Sequence, residues 1–383
     1  MTPTADLPAP TLPRDRRMRA AVLYGPEDIR MEEVPISVPG PGEVLVRVDV
    51  ASVDFTDRKV FLRGSHPMIK TPGLFGHEWA GTIVEVGPDT GGRWRPGQRV
   101  AAANSAPCLE EEGPVCRQCR RGRPSMCETI QYLNGAFAPY VLVPRRLARV
   151  NLHAVPEDTN LERVVFTEPY ACVVQAVRRI PVAPGDAVVV FGAGPMGLFM
   201  VNALRRRYGK GYVIVSLDRL DSRLRVAEAM GATHALNTTD RSSRDALQTA
   251  IGRPDADVVI EVIGAVETHR EALSLVGRGG ALVSFGGVAP GQTLAVDIGH
   301  LHYNEIAIQP IYHHTPVDVA ESVRQLTAGE VPIEHLITGR LPMSELRTAL
   351  QMVADRTTLR TILLPLLTSP NGCVTMKTRY TQQ

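Results

Sequence analysis

The apolar run Ala187-Val-Val-Val-Phe191 breaks directly into Gly192-Ala-Gly-Pro-Met-Gly197, and helical spacing opens behind it at Leu198. Few arrangements constrain a chain more. A run that is apolar at every position reads as a strand buried on both faces, which calls for helices above and below a parallel sheet. The glycines fit G-x-G-x-x-G. The first permits a tight turn, the second lets a pyrophosphate approach the backbone, and the third lets the helix pack on the strand. Pro195 and Met196 fill the variable positions where the helix begins, with its free amides directed at the phosphates. Asp218 closes the next strand pattern, 21 residues after Gly197, where a carboxylate accepts the ribose hydroxyls. The same carboxylate would repel a 2′-phosphate, so NAD is favoured over NADP, although Arg219 and Arg223 stand where they could receive that phosphate.

The rest of the chain divides around this unit, and 383 residues exceed one ordinary domain. From Met18 to about Pro144 the patterns are short and strand-like, as in Val44–Val50, Gly81–Gly87 and Arg99–Ala102. Pro39-Gly40, Pro41-Gly42 and Pro96-Gly97 mark tight turns between them, and a small irregular β barrel is expected. One helix is expected over 161–180. Strand patterns at 187–191, 212–217, 257–262, 281–285 and 306–308 then alternate with helical ones at 198–208, 222–230 and 267–275. Helices are expected at 317–328 and 343–354, and a strand at 360–367. The expected fold class is therefore α/β, a β barrel joined to a doubly wound parallel sheet.

Charge and composition remove several functions. With 42 basic and 40 acidic residues the net charge is +2, so no global field draws the chain to nucleic acid or a membrane surface. No apolar run approaches the ~18 residues of a membrane span. Residues 1–17 are proline-rich without a secretory apolar stretch and read as a disordered leader, 369–383 read as a loose tail, and the cytoplasm is the expected compartment.

Four of the six cysteines, Cys108, Cys116, Cys119 and Cys127, fall within 20 residues, leaving Cys172 and Cys373 apart. Such clustering in a large chain points to metal more than to disulfides. Four thiolates close a tetrahedral zinc site and leave no place for substrate, so this zinc would be structural. Gly76-His77-Glu78 offers one nitrogen and one oxygen ligand between turn glycines, a pairing that is common by itself.

In this company the residues resemble the zinc-containing medium-chain alcohol and polyol dehydrogenase family. Gly76-His77-Glu78-x2-Gly81-x5-Gly87 follows that family's zinc signature, and Asp54-Phe-Thr-Asp57 lies where it usually carries Cys-Gly-(Ser/Thr)-Asp. Glu168-Pro169 looks like its Glu-Pro at the start of the interdomain helix, and the cysteine lobe and GAGPMG follow in the family's order. The likeness runs from about Met18 to Pro365 and is similar to the glucose, sorbitol and threonine dehydrogenase branch.

The resemblance implies a GroES-like catalytic domain over 18–168 and 315–368, with a Rossmann NAD(P)-binding domain inserted at 169–314. It implies a catalytic zinc held by Asp54, His77 and Glu78, with Glu168 a direct or water-linked partner, and ribose contacts from Asp218 and Arg223. Zinc would polarise a substrate oxygen, nicotinamide would take the hydride, and Thr56 would pass the hydroxyl proton outward, with Lys59 or the cofactor ribose as relay. The implied substrate is a small secondary alcohol or its ketone, of sugar, polyol or cyclitol type, and the implied assembly a homodimer or homotetramer. A zinc-free reductase of activated double bonds or imines, or an NAD-retaining epimerase or lyase, is the alternative.

Three departures from the family pattern carry chemistry. Asp54 replaces the usual cysteine, which makes an Asp/His/Glu shell harder and its zinc more exchangeable. Lys59 stands where polyol members often place a histidine. Five extra residues, Glu110 to Glu112 among them, separate Cys108 from Cys116, so the loop must bulge before the first thiolate returns.

Overall fold

The computed structural model describes residues 12–110, 113–240 and 242–365. Two sheets organise it. Six parallel strands run in the order His234–Asn237, Val213–Asp218, Ala187–Phe191, Ala256–Glu261, Val276–Ser284 and Ala307–Pro310. Numbered within this domain the order is 3-2-1-4-5-6, and the strand order reverses beside Ala187–Phe191, where open α/β sheets bind ligands. The three central residues Val188, Val189 and Val190 are buried, as a fully apolar strand between helix layers must be.

The second sheet is barrel-like and mainly antiparallel, with Val44–Val53 at its centre, paired to Glu78–Val86 and Tyr140–Val143. After the parallel domain the chain returns to this sheet. Arg360–Leu364 pairs with Val44–Val53 through Thr361 opposite Val53, and Ile337–Pro342 lies outside it. The two sheets meet at the helix Thr167–Arg179. Its Tyr170, Val173 and Ala176 join one apolar cluster with Val50 and Ala80 of the barrel and Val188, Leu198 and Phe199 of the parallel domain. Glu168 in the first turn of that helix consequently sits at the seam.

Three expectations are corrected. The single helix over 161–180 is broken into Leu161–Val164 and Thr167–Arg179. Pro169 explains the break, since an unbroken helix would set its ring against the Val165 carbonyl, whereas the first turn of a new helix tolerates it. Part of the expected leader is built into the fold: Arg17 opens the strand Arg17–Gly25, and Arg16 pairs with Glu85 at 2.8 Å. The helices Phe55–Arg63 and Ser243–Ile251 and the strand His234–Asn237 were not anticipated. Residues 1–11, the tail 369–383 and the end of the strand expected at 360–367 lie outside the described residues. Among the described residues no helix is long and apolar enough to cross a membrane.

Candidate active site

The glycine loop forms as its spacing demands. Gly192 has φ 115°, a left-handed conformation that side-chain-bearing residues rarely adopt. A Cβ on Gly197 would stand 1.8 Å from the Gly192 carbonyl oxygen, so only glycine lets the helix Pro195–Tyr208 approach the strand. Pro195 opens that helix, where its missing N–H costs nothing. Asp218 ends the neighbouring strand and accepts from Ala193 N at 2.7 Å with one oxygen, and from Arg219 N and Leu220 N at 2.8 and 3.0 Å with the other. It ties the glycine loop to the next βα turn. Arg223 faces the same loop: its guanidinium would be 3.9 Å from a Cβ on Gly194, and burial lowers its pKa while Asp218 opposes that. A bare glycine cradle at a helix N-terminus, bordered by a carboxylate, fits a dinucleotide.

At the barrel edge, two local features of the sequence place a second polar cluster. Asp54 is the N-cap of the helix Phe55–Arg63, accepting from Asp57 N at 2.8 Å, while Asp57 returns the contact to Asp54 N at 3.1 Å. This capping box fixes both carboxylates. His77 comes from the turn before the strand Glu78–Val86; its Nδ1 lies 2.9 Å from Asp57 Oδ1, which turns Nε2 toward Asp54 Oδ1 at 4.0 Å. Burial disfavours a charged His77, but Asp57 and Asp54 outweigh it and raise the pKa well above the ordinary value. Such a carboxylate–imidazole pair orients a histidine for metal. The ligand atoms of His77, Glu78 and Glu168 lie within 4.8 Å of one another, as do those of Asp54, Asp57 and His77.

Glu78 and Glu168 differ in their surroundings. Both Glu78 oxygens accept from Arg360 Nη1, at 2.9 and 3.0 Å, with the two side chains 0% and 2% exposed. Burial pushes Glu78 up to about 8 even though Arg360 opposes it. Burial also raises Glu168, with the charges of His77 and then Arg360 opposing it; His314, held neutral by its own burial, has Nε2 3.9 Å from Glu168 Oε1. Thr56 is half-buried and its hydroxyl hydrogen-bonds Asp54, helping to hold that carboxylate below its usual range once burial is overcome by His77 and Arg360. Lys59 extends from the same helix to donate to the Gly287 carbonyl at 3.2 Å, spanning the cleft to the parallel domain, and burial lowers its pKa.

The cysteine lobe closes despite its longer loop. The sulfurs of Cys108, Cys116, Cys119 and Cys127 lie within 4.8 Å of one another. Backbone amides already point at them: Cys108 N donates to Cys127 Sγ at 3.2 Å and Cys116 N to Cys108 Sγ at 3.3 Å. Amides of Cys119 and Glu128 bring the Cys116 thiol down to about 6. Amides aimed at sulfur are the surroundings of thiolates, so the donor set suits zinc.

Sequence reasoning left four residues of this region without a role: Asp57, which orients His77; Arg360, which neutralises Glu78; and His313 and His314, described below. Asp57 was visible within the quoted motif. Arg360 had no local signal, because its partner lies 282 residues away.

Comparison with known proteins identifies the family to which this fold belongs. Residues 40–157 match the family model of the alcohol dehydrogenase GroES-like domain, and residues 195–328 match that of the zinc-binding dehydrogenase. The chain belongs to the zinc-containing medium-chain alcohol dehydrogenase family. This dehydrogenase is 28% identical over 355 residues to erythritol/L-threitol dehydrogenase of Mycolicibacterium smegmatis, covering 88% of this chain and 95% of that one. It is also 28% identical over 349 residues to sorbitol dehydrogenase of Bacillus subtilis, covering 89% and 94%. A zinc-binding dehydrogenase from Sinorhizobium meliloti, solved with NADP, superposes with a TM-score of 0.81 at 26% identity, covering 91% of this chain and 99% of that one. The dehydrogenase is thus a zinc-dependent, NAD(P)-dependent alcohol oxidoreductase on a GroES-like barrel and a Rossmann sheet.

Proposed function

We propose that the enzyme oxidises a secondary alcohol of a small polyol, sugar or cyclitol with NAD, at a zinc held by Asp54, His77 and Glu168. The observation that carries this reading is a pair of donor clusters, Asp54/Asp57/His77 and His77/Glu78/Glu168, that meet at His77 at the domain seam and contain no sulfur. Oxygen-rich surroundings suit a substrate whose vicinal hydroxyls also seek polar partners, and the polyol names of the two relatives above point the same way. Zinc bound there supplies Lewis acidity to the substrate oxygen, and the nicotinamide supplies the hydride acceptor.

The chain's own groups do the rest. Asp57 holds His77 with Nε2 free. Arg360 balances Glu78, leaving Glu168 as the carboxylate closest to unengaged; Glu78 stands second in line. Thr56, bonded to Asp54, is placed to take the hydroxyl proton and pass it outward. Lys59 spans the cleft and contributes a cation to the same path. Cys108, Cys116, Cys119 and Cys127 hold a second, structural zinc. The catalytic half comprises 18–168 and 315–368, and the inserted half 169–314. A reduced thiolate lobe fits the cytoplasm. The last strand of the parallel sheet, Ala307–Pro310, leaves an open edge beside exposed Ile308 and Tyr303, which supports a homodimer with its mate on that edge. Sedimentation of a monomer would overturn that assembly.

A panel of tetritols, hexitols, cyclitols, aminocyclitols and simple secondary alcohols, scored by reduced nicotinamide absorbance with NAD and with NADP, tests the substrate and cofactor together. The expected result is turnover of a polyol with higher kcat/KM for NAD. Asp218→Ser should shift the NAD/NADP ratio toward NADP by about tenfold or more, since the repelling carboxylate is gone while Arg219 and Arg223 remain. Wild-type preference for NADP would defeat the cofactor assignment, and turnover confined to apolar alcohols would defeat the substrate class.

A further inference from the structure

We propose that His313, His314 and Glu168 form a second seat for a divalent transition-metal ion, adjacent to the Asp54–His77 seat and sharing Glu168 with it. The segment that carries the histidines joins the last parallel strand to the helix Pro316–Thr327. His313 has φ 63°, a left-handed conformation uncommon outside glycine. The turn brings two successive side chains together, with ring centroids 3.9 Å apart. Gln175, with its amide nitrogen turned toward the segment, donates to the His313 and Tyr312 carbonyls at 2.7 and 3.1 Å. Gln175 and Glu168 lie on the same helix, so the histidines are fastened to the element that carries the carboxylate.

The decisive feature is His314. It is 3% exposed, and among the described residues neither of its ring nitrogens has a hydrogen-bond partner. Leaving a buried polar group unpaired is unfavourable, and here both nitrogens of one ring would bear that cost. His314 Nε2 faces Glu168 Oε1 at 3.9 Å, too far for a hydrogen bond. It is about half an ångström beyond the ~3.4 Å between two ligands of a tetrahedral ion with bonds of about 2.0–2.2 Å, so a bound ion would need only a small approach of the two side chains. His313 completes the set, since the ligand atoms of Glu168, His313 and His314 lie within 4.8 Å of one another. Its Nε2 meets Ser105 Oγ at 2.5 Å, which orients the ring and leaves Nδ1 as the ligand atom. Two imidazoles and a carboxylate select zinc, cobalt or ferrous iron over magnesium or calcium. One carboxylate has two oxygens, so Glu168 can serve both seats. With three ligands, one of them shared, the new seat should bind more weakly than the Asp54–His77 seat.

This inference goes beyond the substrate assignment and needs no substrate to test. The full-length protein, freed of exchangeable metal by a mild chelator but retaining the thiolate-bound zinc, is titrated with Zn²⁺ by calorimetry. Two further equivalents per chain are expected for wild type, and one for His314→Ala and for the His313→Ala/His314→Ala pair. Side-chain nitrogen NMR of the wild type provides a check that needs no variant: zinc should shift His313 and His314 as well as His77. One equivalent in wild type with only His77 shifted would mean that water alone fills the space, and the proposal would fall. Two equivalents retained in a folded His314→Ala protein would overturn it equally. An enzyme that oxidises no polyol yet takes two equivalents would defeat the functional reading and leave this one standing.

Discussion

Dialysis against a mild chelator is expected to strip the Asp54–His77–Glu168 zinc, abolish alcohol oxidation and leave the fold and the thiolate zinc intact. On the proposed reading the four thiolates leave no place for substrate on their zinc, and an oxygen/nitrogen shell holds zinc less tightly than four thiolates. Substitutions at Asp54 sharpen the test, because this carboxylate has two tasks: it faces His77 Nε2 at 4.0 Å and caps the helix Phe55–Arg63. Asparagine caps as well as aspartate does, so Asp54→Asn should keep the melting temperature nearly unchanged. Removing the charge should lower zinc affinity and kcat together, by about 100-fold or more, the scale of losing a metal-site interaction. Asp54→Cys should behave in the opposite sense, retaining metal while losing the cap at about 1 kcal/mol of stability. Metal content, rate and thermal unfolding on the same two variants separate the two tasks. Full zinc occupancy in an inactive Asp54→Asn enzyme would show that Asp54 is not a ligand.

The largest effect on stability is expected at Arg360. It donates to both oxygens of Glu78, and both side chains are buried, so Arg360→Leu leaves Glu78 with no counterion whenever it is ionised. Breaking one side of such a pair costs about 3–5 kcal/mol, whereas removing both partners is often nearly neutral. The loss should therefore be largely recovered in Arg360→Leu/Glu78→Gln. It should also depend on pH with a definite sign. Glu78 sits at about 8 in the fold, above its ordinary value, so at lower pH it holds a proton and has little need of Arg360. The deficit of Arg360→Leu should grow as pH rises through that value. Denaturant unfolding of the three proteins at pH 6.5 and pH 9 measures it; a single variant as stable as wild type at pH 9 would remove Arg360 from the account.

What was legible in the sequence was what short range encodes. The run Ala187–Phe191 and the glycines after it define a strand, a turn and a helix within a few residues, and sterics at Gly192 and Gly197 leave little choice. The four cysteines announce themselves by spacing, and the extra loop residues did not prevent Cys108 from reaching the others. Asp54 was readable as a departure from the family's cysteine, yet its capping role was not drawn from the Asp-x-x-Asp pattern that signals it. Arg360 and His314 were out of reach for a different reason. Their meaning comes from Glu78 and Glu168, which tertiary folding brings to them, and an isolated arginine at a strand start or a pair of histidines in a loop has no periodicity to betray it.

The late return of the chain to the barrel also sets an order of events during synthesis. Glu78 gains its arginine only after 282 further residues have been made, and Val53 waits longer still for its partner Thr361. At ~5–20 residues per second that interval is roughly 15–55 s, during which a sheet edge and a carboxylate wait without their partners. The inserted parallel domain has all its strands in hand before then and can fold first. A ribosome that stalls or a message that ends within that window would release a chain with a competent nucleotide half and an open barrel, a species prone to pair its bare edge with another copy.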